Sequence, residues 1–292
     1  MTPMVTAPLE TNNDEDHAAL RYVAANAGAS LCTIIGIDGS FSRRLGAQLA
    51  IGTDMHTVGS LSDGCLEMEL ANQARNGFGR APRILRYGRG SPFIDFRLPC
   101  GSGLDILVDP TPDQDEIFGA LKDLDARRPA AIRLPHDRSE LLRHRKYLPP
   151  LKLKVFGSGP EAFWLEQLSR NFGIVTECYS PEGELSLGRI PSELSADRWT
   201  AIALLFHDHE WENSILDWAL LTEAYFVGAI GGRVARDERA NSLQSRGWAS
   251  DDAARVRSPV GLIKHARDAR VLALSILAEV VEAYECLKIV QP

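Results

Sequence analysis

Cysteine is scarce in this chain. Five are scattered along it, Cys32, Cys65, Cys100, Cys178 and Cys286. An odd, sparse set without a C-x-x-C pair excludes a disulfide framework and weakens a zinc reading; it points to a reducing cytoplasm. Long apolar runs are missing too. The longest are of the size of Thr200-Ala-Ile-Ala-Leu-Leu-Phe206, far below the ~18 residues of a membrane span. No basic block is present, and 39 acidic against 32 basic side chains give a net charge of -7. A nucleic-acid partner needs a basic face, so that class is excluded. The first residues, Met1 to Asp16, are polar and acidic. They lack the basic start and apolar centre of a signal peptide, and residues 1–13 are expected as a disordered tail. No internal repeat stands out.

Apolar residues make up 45% of the chain and charged residues 24%, the balance of a globular protein with real cores. At roughly 100–200 residues per domain the length suggests two domains. Residues 14–135 mix helices and strands without a βαβ rhythm. Helices are expected at Asp14 to Ala27, Cys65 to Asn76 and Asp113 to Ala126. Strands are expected at Leu31 to Ile37, Leu45 to Ile51, Thr57 to Ser60, Ile84 to Tyr87, Leu104 to Val108 and Ala130 to Leu134. This half reads as α+β. The polar stretch His136 to Pro150 ends in two prolines and is expected as a linker. From Leu151 apolar strands alternate with helical periods, which predicts a Rossmann-like parallel sheet with helices on its faces.

The best-placed motif is Gly157-Ser158-Gly159-Pro160-Glu161-Ala162, a G-x-G-x-x-A loop between a strand and a helix. Gly157 permits a tight turn, Gly159 lets a phosphate approach the backbone, and Ala162 allows close helix–strand packing. The same pattern also makes a tight turn without a ligand. A dinucleotide site adds a carboxylate after the second strand, where this chain has Ser180; NAD(P) binding is therefore not expected. His207-Asp208-His209-Glu210 follows a buried strand. These residue types suit metal or acid–base work, but their spacing fits no single helical face, and helix capping by Asp208 and Glu210 explains them as well. Cys65 and Cys100 lie in glycine-flanked loops, and Cys65 heads a helix whose dipole favours the thiolate. Cys32, Cys178 and Cys286 fit apolar patterns and read as inert. Arg43 and Arg44 lie on the loop Gly39 to Gly46. An arginine there can fork onto a phosphate or stand solvated.

Together these segments resemble the XdhC/CoxI family, the xanthine dehydrogenase accessory proteins. Gly39-Ser40, Arg43 and Gly46-Ala47 resemble its G-S-x-P-R-x-x-G-A loop. Gly59-Ser60, Ser62, Gly64-Cys65 and Glu67 resemble its G-S-x-S-G-G-C-x-E signature. Cys100-Gly101 resembles its C-G-G segment, and His207 to Glu210 its T-H-D-H-E-x-D stretch. Tyr225 to Gly231, Ser258 to Leu262 and Ala273 to Glu279 resemble its later Y-x-G-x-x-G, P-I-G-L and A-x-S-I-x-A-E segments. The chain departs from the pattern at Asp63, Ser102, Ser180, Phe206, Asn213 and after Leu262.

The resemblance implies an accessory protein that binds molybdenum cofactor (molybdopterin) and delivers it to a molybdenum hydroxylase of the xanthine dehydrogenase type. It implies cofactor-binding roles for Ser40, Arg43, Cys65, Cys100, Gly157, Gly159, Ala162, His207, Asp208 and His209. Cys65 is the implied metal ligand. A cysteine desulfurase and a second copy of the chain are further expected partners. The competing readings are an NAD(P)-dependent oxidoreductase using the Gly157 loop, and a metal-dependent hydrolase using His207 and His209.

Overall fold

A computed structural model describes residues 15–62, 64–75, 81–91, 101–183, 185–208 and 210–290. The tail expected at 1–13, Asp63, Cys100 and His209 lie outside them. The chain divides between Pro149 and Pro150 into two compact units, and each combines helices and strands.

The N-terminal unit runs α1 Glu15–Ala25, β1 Ser30–Asp38, β2 Gln48–Ile51, β3 Thr57–Gly59, α2 Cys65–Arg75, β4 Arg83–Gly88, β5 Gly103–Asp109, α3 Gln114–Asp125, β6 Ala130–Arg133 and β7 His144–Tyr147. Five strands form one sheet in the order β3-β2-β1-β5-β4, every pair antiparallel. Strand periodicity divides its apolar side chains between two faces. Leu31, Ile35 and Leu107 point to a core shared with Leu20 and Val23 of α1 and Ile117 and Leu121 of α3. Cys32, Ile34, Ile106 and Val108 point to the opposite core, with Leu66 and Leu70 of α2. Each fully buried Leu or Ile contributes roughly 1.5–3 kcal/mol, so a sheet covered on both faces tolerates little polar substitution in β1 or β5.

Local chemistry sets the ends of α3. The Asp113 side chain accepts the Glu116 N–H at 3.1 Å, an N-cap, and Ile117, Ala120, Leu121 and Leu124 are buried at helical spacing. The stretch expected as a linker is corrected here. His144–Tyr147 pairs antiparallel with Ala130–Arg133, and the Leu142 N–H donates to the Ile35 carbonyl at 2.9 Å. Tyr147 is buried and its hydroxyl donates to Gln48 Oε1 at 2.7 Å. The segment looked like a linker because this short hairpin exposes most of its side chains and buries one aromatic.

The C-terminal unit runs β8 Lys152–Gly157, α4 Pro160–Asn171, β9 Val175–Tyr179, β10 Thr200–Leu205, α5 Glu212–Leu221, β11 Phe226–Ala229, α6 Arg233–Ser245, α7 Ser250–Ala254, β12 Val256–Arg257 and α8 Ala269–Val290. Its sheet has the order β12-β11-β10-β8-β9 and is parallel throughout. Every residue of central β10 is buried, as a strand covered on both faces requires. The Rossmann-like expectation holds. The strand order reverses between β8 and β10, and open parallel sheets bind ligands at that switch point, outside the carboxyl ends of the strands. Helix α7 and strand β12 went unread in the sequence because Ser250–Ala254 and Val256–Arg257 are shorter than any periodicity can reveal.

On β8, next to the edge of this sheet, Lys154 is nearly buried and is held by Glu177 and Tyr179 of edge strand β9. Tyr179 also donates to Glu177 Oε2 at 2.7 Å. Burial alone raises the Glu177 carboxyl, but the hydrogen bonds from Lys154 and Tyr179 outweigh it and bring it down to about 2. A carboxylate depressed below its unfolded value stabilises the fold above the ordinary glutamate range and loses that contribution as pH falls toward 2. Glu177 is about a third exposed, so solvent screening reduces the contribution to about 1 kcal/mol. Urea unfolding at pH 7 and pH 3 should show wild type losing this increment and Glu177→Gln already lacking it at pH 7. Equal pH slopes for the two proteins would contradict the assignment.

Candidate functional site

Two places in the chain gather the residues singled out by sequence. One lies at the switch point of the parallel sheet, the other on the loops around Cys65.

At the switch point, the two glycines of the loop serve different ends. Gly157 closes β8 with φ +136°, and an added Cβ would stand 2.7 Å from the Leu205 carbonyl oxygen. The close approach of β8 to β10 therefore demands glycine, with or without a ligand. Gly159 has φ +98°, but its surroundings are open, since a Cβ would meet only Glu161 Oε2 at 3.7 Å. Helix α4 starts immediately after it with Pro160 in its first turn, and no side chain caps it. Proline is favoured there because an N–H at that position finds no acceptor within the helix, so its loss costs nothing. The remaining orphan N–H groups and the positive end of the helix dipole suit an anion. Ala162 is buried, in keeping with the close helix packing expected of it.

The His207 loop follows β10, on the other side of the switch point. His207 is largely exposed, and its Nε2 stands 4.0 Å from Glu161 Oε2. The pair joins the two loops and becomes an ion pair only when the imidazole is protonated. Asp208 accepts the Glu210 N–H at 3.0 Å, which closes a local turn. The capping expectation for Asp208 and Glu210 is corrected: the N-cap of α5 is Trp211, without a side-chain cap bond. Among the described residues no three His, Cys, Asp or Glu side chains converge to hold a metal ion.

The residues that organise this edge of the sheet include some that the sequence did not single out. Glu212 and Arg239 form a buried, two-pronged ion pair, Nε to Oε2 at 2.8 Å and Nη2 to Oε1 at 2.9 Å. Arg239 also donates to the Ile230 carbonyl at 2.9 Å and to Ser258 Oγ at 2.6 Å. One guanidinium thus ties α5 to the loop after β11 and to the turn at Ser258. Further along, Glu279 of α8 accepts from Arg257 and from the Gly261 N–H, while Ser275 Oγ accepts the Ile263 N–H at 2.7 Å. The late serine and glutamate thus clamp the Ser258 to Leu262 turn. The signal available in sequence was a carboxylate inside an apolar helix; its partner, 18 residues away for Gly261, was not readable.

In the N-terminal unit, the loop before Cys65 is pinned from two sides. Glu67, buried in the first turn of α2, accepts the N–H groups of Leu61 and Ser62, each at 2.7 Å, and of Gly64 at 3.0 Å. This is a reach-back cap of the capping-box kind. It fills with a carboxylate the backbone donors that would otherwise attract an anion. Arg43 donates to Ser60 Oγ at 3.0 Å and to the Ser62 carbonyl at 3.2 Å. Its guanidinium holds this loop in the structure. Ser40 is exposed, and its carbonyl accepts the hydroxyl of buried Ser102. Ser102, a departure from the family pattern, thereby ties the Gly39 loop to the start of β5.

The likeness to known proteins follows the same segments. Residues 153–280 match the model of the XdhC Rossmann domain, and residues 22–88 that of the XdhC and CoxI family. An Escherichia coli K12 protein named molybdenum cofactor insertion chaperone PaoD is 31% identical over 287 residues, covering 91% of this chain and 88% of that protein. The chain belongs to the XdhC/CoxI family. A crystal structure described as a xanthine dehydrogenase from Bacillus halodurans matches with a TM-score of 0.74 at 19% identity, over 96% of this chain and 98% of that one. At that identity the match speaks for the fold. Among the described residues no helix is long and apolar enough to cross a membrane.

Proposed function

We propose that this XdhC/CoxI protein binds molybdenum cofactor as cargo and supports its insertion into a cytoplasmic molybdenum hydroxylase of the xanthine dehydrogenase type. The observation that carries the proposal is the open, uncapped glycine loop at the switch point of the C-terminal sheet, in a chain of this family. Molybdenum cofactor ends in a phosphate, and the backbone N–H groups around Gly159 and the first turn of α4 are the donors to hold it. The thiol of Cys65 is the soft ligand this chain offers to molybdenum or to its labile sulfur. A cysteine desulfurase, as the source of that sulfur, and a second copy of the chain complete the set of proposed partners.

The oxidoreductase reading is less well supported. Ser180 follows β9 where a ribose-binding carboxylate belongs, and Glu177 on the same strand is occupied by Lys154, Lys152 and Tyr179. The hydrolase reading rests on His207 and His209; His207 is largely exposed, with its Nε2 4.0 Å from Glu161 Oε2, and among the described residues no three His, Cys, Asp or Glu side chains converge to hold a metal ion.

The test is Gly159→Val. The space around Gly159 is where the phosphate would sit, so a branched side chain there should weaken binding of molybdenum cofactor by at least about ten-fold, or ~1.4 kcal/mol. The positive φ adds some strain, so folding is verified by circular dichroism. A folded Gly159→Val protein with unchanged affinity would reject the phosphate role, and tight titration by NAD or NADP would favour the oxidoreductase.

A further inference from the structure

The β6–β7 hairpin of the N-terminal unit carries a charge that the proposed function does not use. Residues 127–146 hold seven lysines and arginines against two acids, a local balance of +5 in a chain of net -7. In the sequence these cations are spread out, with no run longer than Arg143-His144-Arg145-Lys146. Strand pairing gathers them. The register sets Ala130 opposite Tyr147 and Ile132 opposite Arg145 on one face, and Ala131 opposite Lys146 and Arg133 opposite His144 on the other. Ile132 and Tyr147 are buried. Arg133, His144 and Lys146 are exposed, as are Arg138 and Arg143 between the strands.

Some cations of the stretch are answered locally. Arg128 pairs with Asp123, and Arg145 lies over the Tyr147 ring at 4.7 Å. Arg133, Arg138, Arg143 and Lys146 form no ion pair among the described residues. The Glu116 carboxylate takes the backbone N–H of Arg133 at 2.6 Å and not its guanidinium. Arg133 and Lys146 are diagonal neighbours on the outward face, within reach of each other, and like charges so placed repel. The hairpin alone gains nothing from this arrangement. A surface of opposite charge laid over it removes the repulsion. The outward face is also held ready, because the Leu142 N–H and the buried Tyr147 fix the hairpin to β1 and β2.

The surroundings select the kind of partner. A guanidinium forks onto a carboxylate or a phosphate. The chain's net charge repels a nucleic-acid backbone, and no large apolar or aromatic side chain of residues 127–146 is exposed to stack on bases or to enter a lipid surface. We propose that the outward face of this hairpin docks a carboxylate-rich surface of the client hydroxylase. The identity of the partner rests on the proposed function. The face itself lies wholly within the N-terminal unit and does not include the glycine loop.

The test measures association of the full chain with a cofactor-free molybdenum hydroxylase of the xanthine dehydrogenase type from the same organism, by surface plasmon resonance. Wild-type association should slow at least about ten-fold between about 50 and about 300 mM salt. Arg133→Glu with Lys146→Glu should slow it at least about ten-fold at low salt, while Arg133→Lys with Lys146→Arg should leave it unchanged. Arg138→Glu repeats the test away from the strands, should the double reversal fail to fold. Arg189→Glu, an exposed cation of the C-terminal unit, controls for net charge and should have little effect. Unchanged association of the folded reversals, or an equal loss in Arg189→Glu, would overturn the docking face and leave the cofactor reading standing. Binding of RNA or anionic vesicles that the same reversals abolish would assign the face to phosphate and overturn it as well. Absence of any wild-type complex would reject the client as partner and this docking with it; cofactor titration of wild type and Gly159→Val then decides the cargo role separately.

Discussion

Glu212→Ala should destabilise the C-terminal unit by about 3–5 kcal/mol, the cost of breaking one side of a buried ion pair. Glu212 and Arg239 have side chains only 2% and 4% exposed. Without the carboxylate, a guanidinium remains inside the fold with hydrogen bonds to the Ile230 carbonyl and Ser258 Oγ but no counter-charge. Urea unfolding followed by tryptophan fluorescence measures the effect directly, because all five tryptophans, Trp164, Trp199, Trp211, Trp218 and Trp248, lie in this unit. The double replacement Glu212→Leu with Arg239→Met tests the cause. Apolar residues of similar volume remove both charges together, and much of the lost stability should return. If Glu212→Ala unfolds at the wild-type urea concentration, or if the double variant is less stable than the single one, the pair does not organise this edge of the sheet.

Cys65→Ser should fold normally and reduce activation of a client molybdenum hydroxylase by about ten-fold or more. Serine keeps the size of the residue and removes the soft, ionisable sulfur on which the proposed role depends. Cys65 is the first residue of α2, where a helix dipole favours an anion, and the loop leading to it is fixed by Glu67 and Arg43. Cys32 is fully buried, and burial, with Asp109 adding and Arg83 opposing, pushes its thiol up to about 12. Iodoacetamide near neutral pH should therefore label Cys65 ahead of Cys32. The measurements are client turnover after reconstitution with each variant and peptide-resolved alkylation rates. Full activation by Cys65→Ser, with labelling no faster than at Cys32, would make the residue structural.

Much of the architecture was legible in the sequence because local periodicity and turn chemistry dominate there. The helix expected at Asp113 to Ala126 was read to within one residue at each end, since α3 spans Gln114–Asp125. The G-x-G-x-x-A pattern located the strand–loop–helix unit at the switch point. The hairpin residues His144–Tyr147 were misread, since an exposed two-stranded ribbon carries a polar sequence like that of a linker. Helix capping was one of two readings of Asp208, because its residue type favours both helix caps and local turns, and the structure shows the turn.

The sequence by itself determined the parallel sheet of the C-terminal unit, the α+β character of the N-terminal one and the family. These follow from apolar spacing, glycine placement and the order of short motifs along one chain. Only the tertiary structure decided how those motifs are used. It showed Gly157 demanded by a neighbouring strand and Gly159 by its own backbone beside open space. It also showed Glu67 spent on its own loop and Arg239 joined to a carboxylate 27 residues away. Such roles depend on which atoms meet across the fold, and a buried acceptor or guanidinium finds its partner by distance in space rather than by separation along the chain.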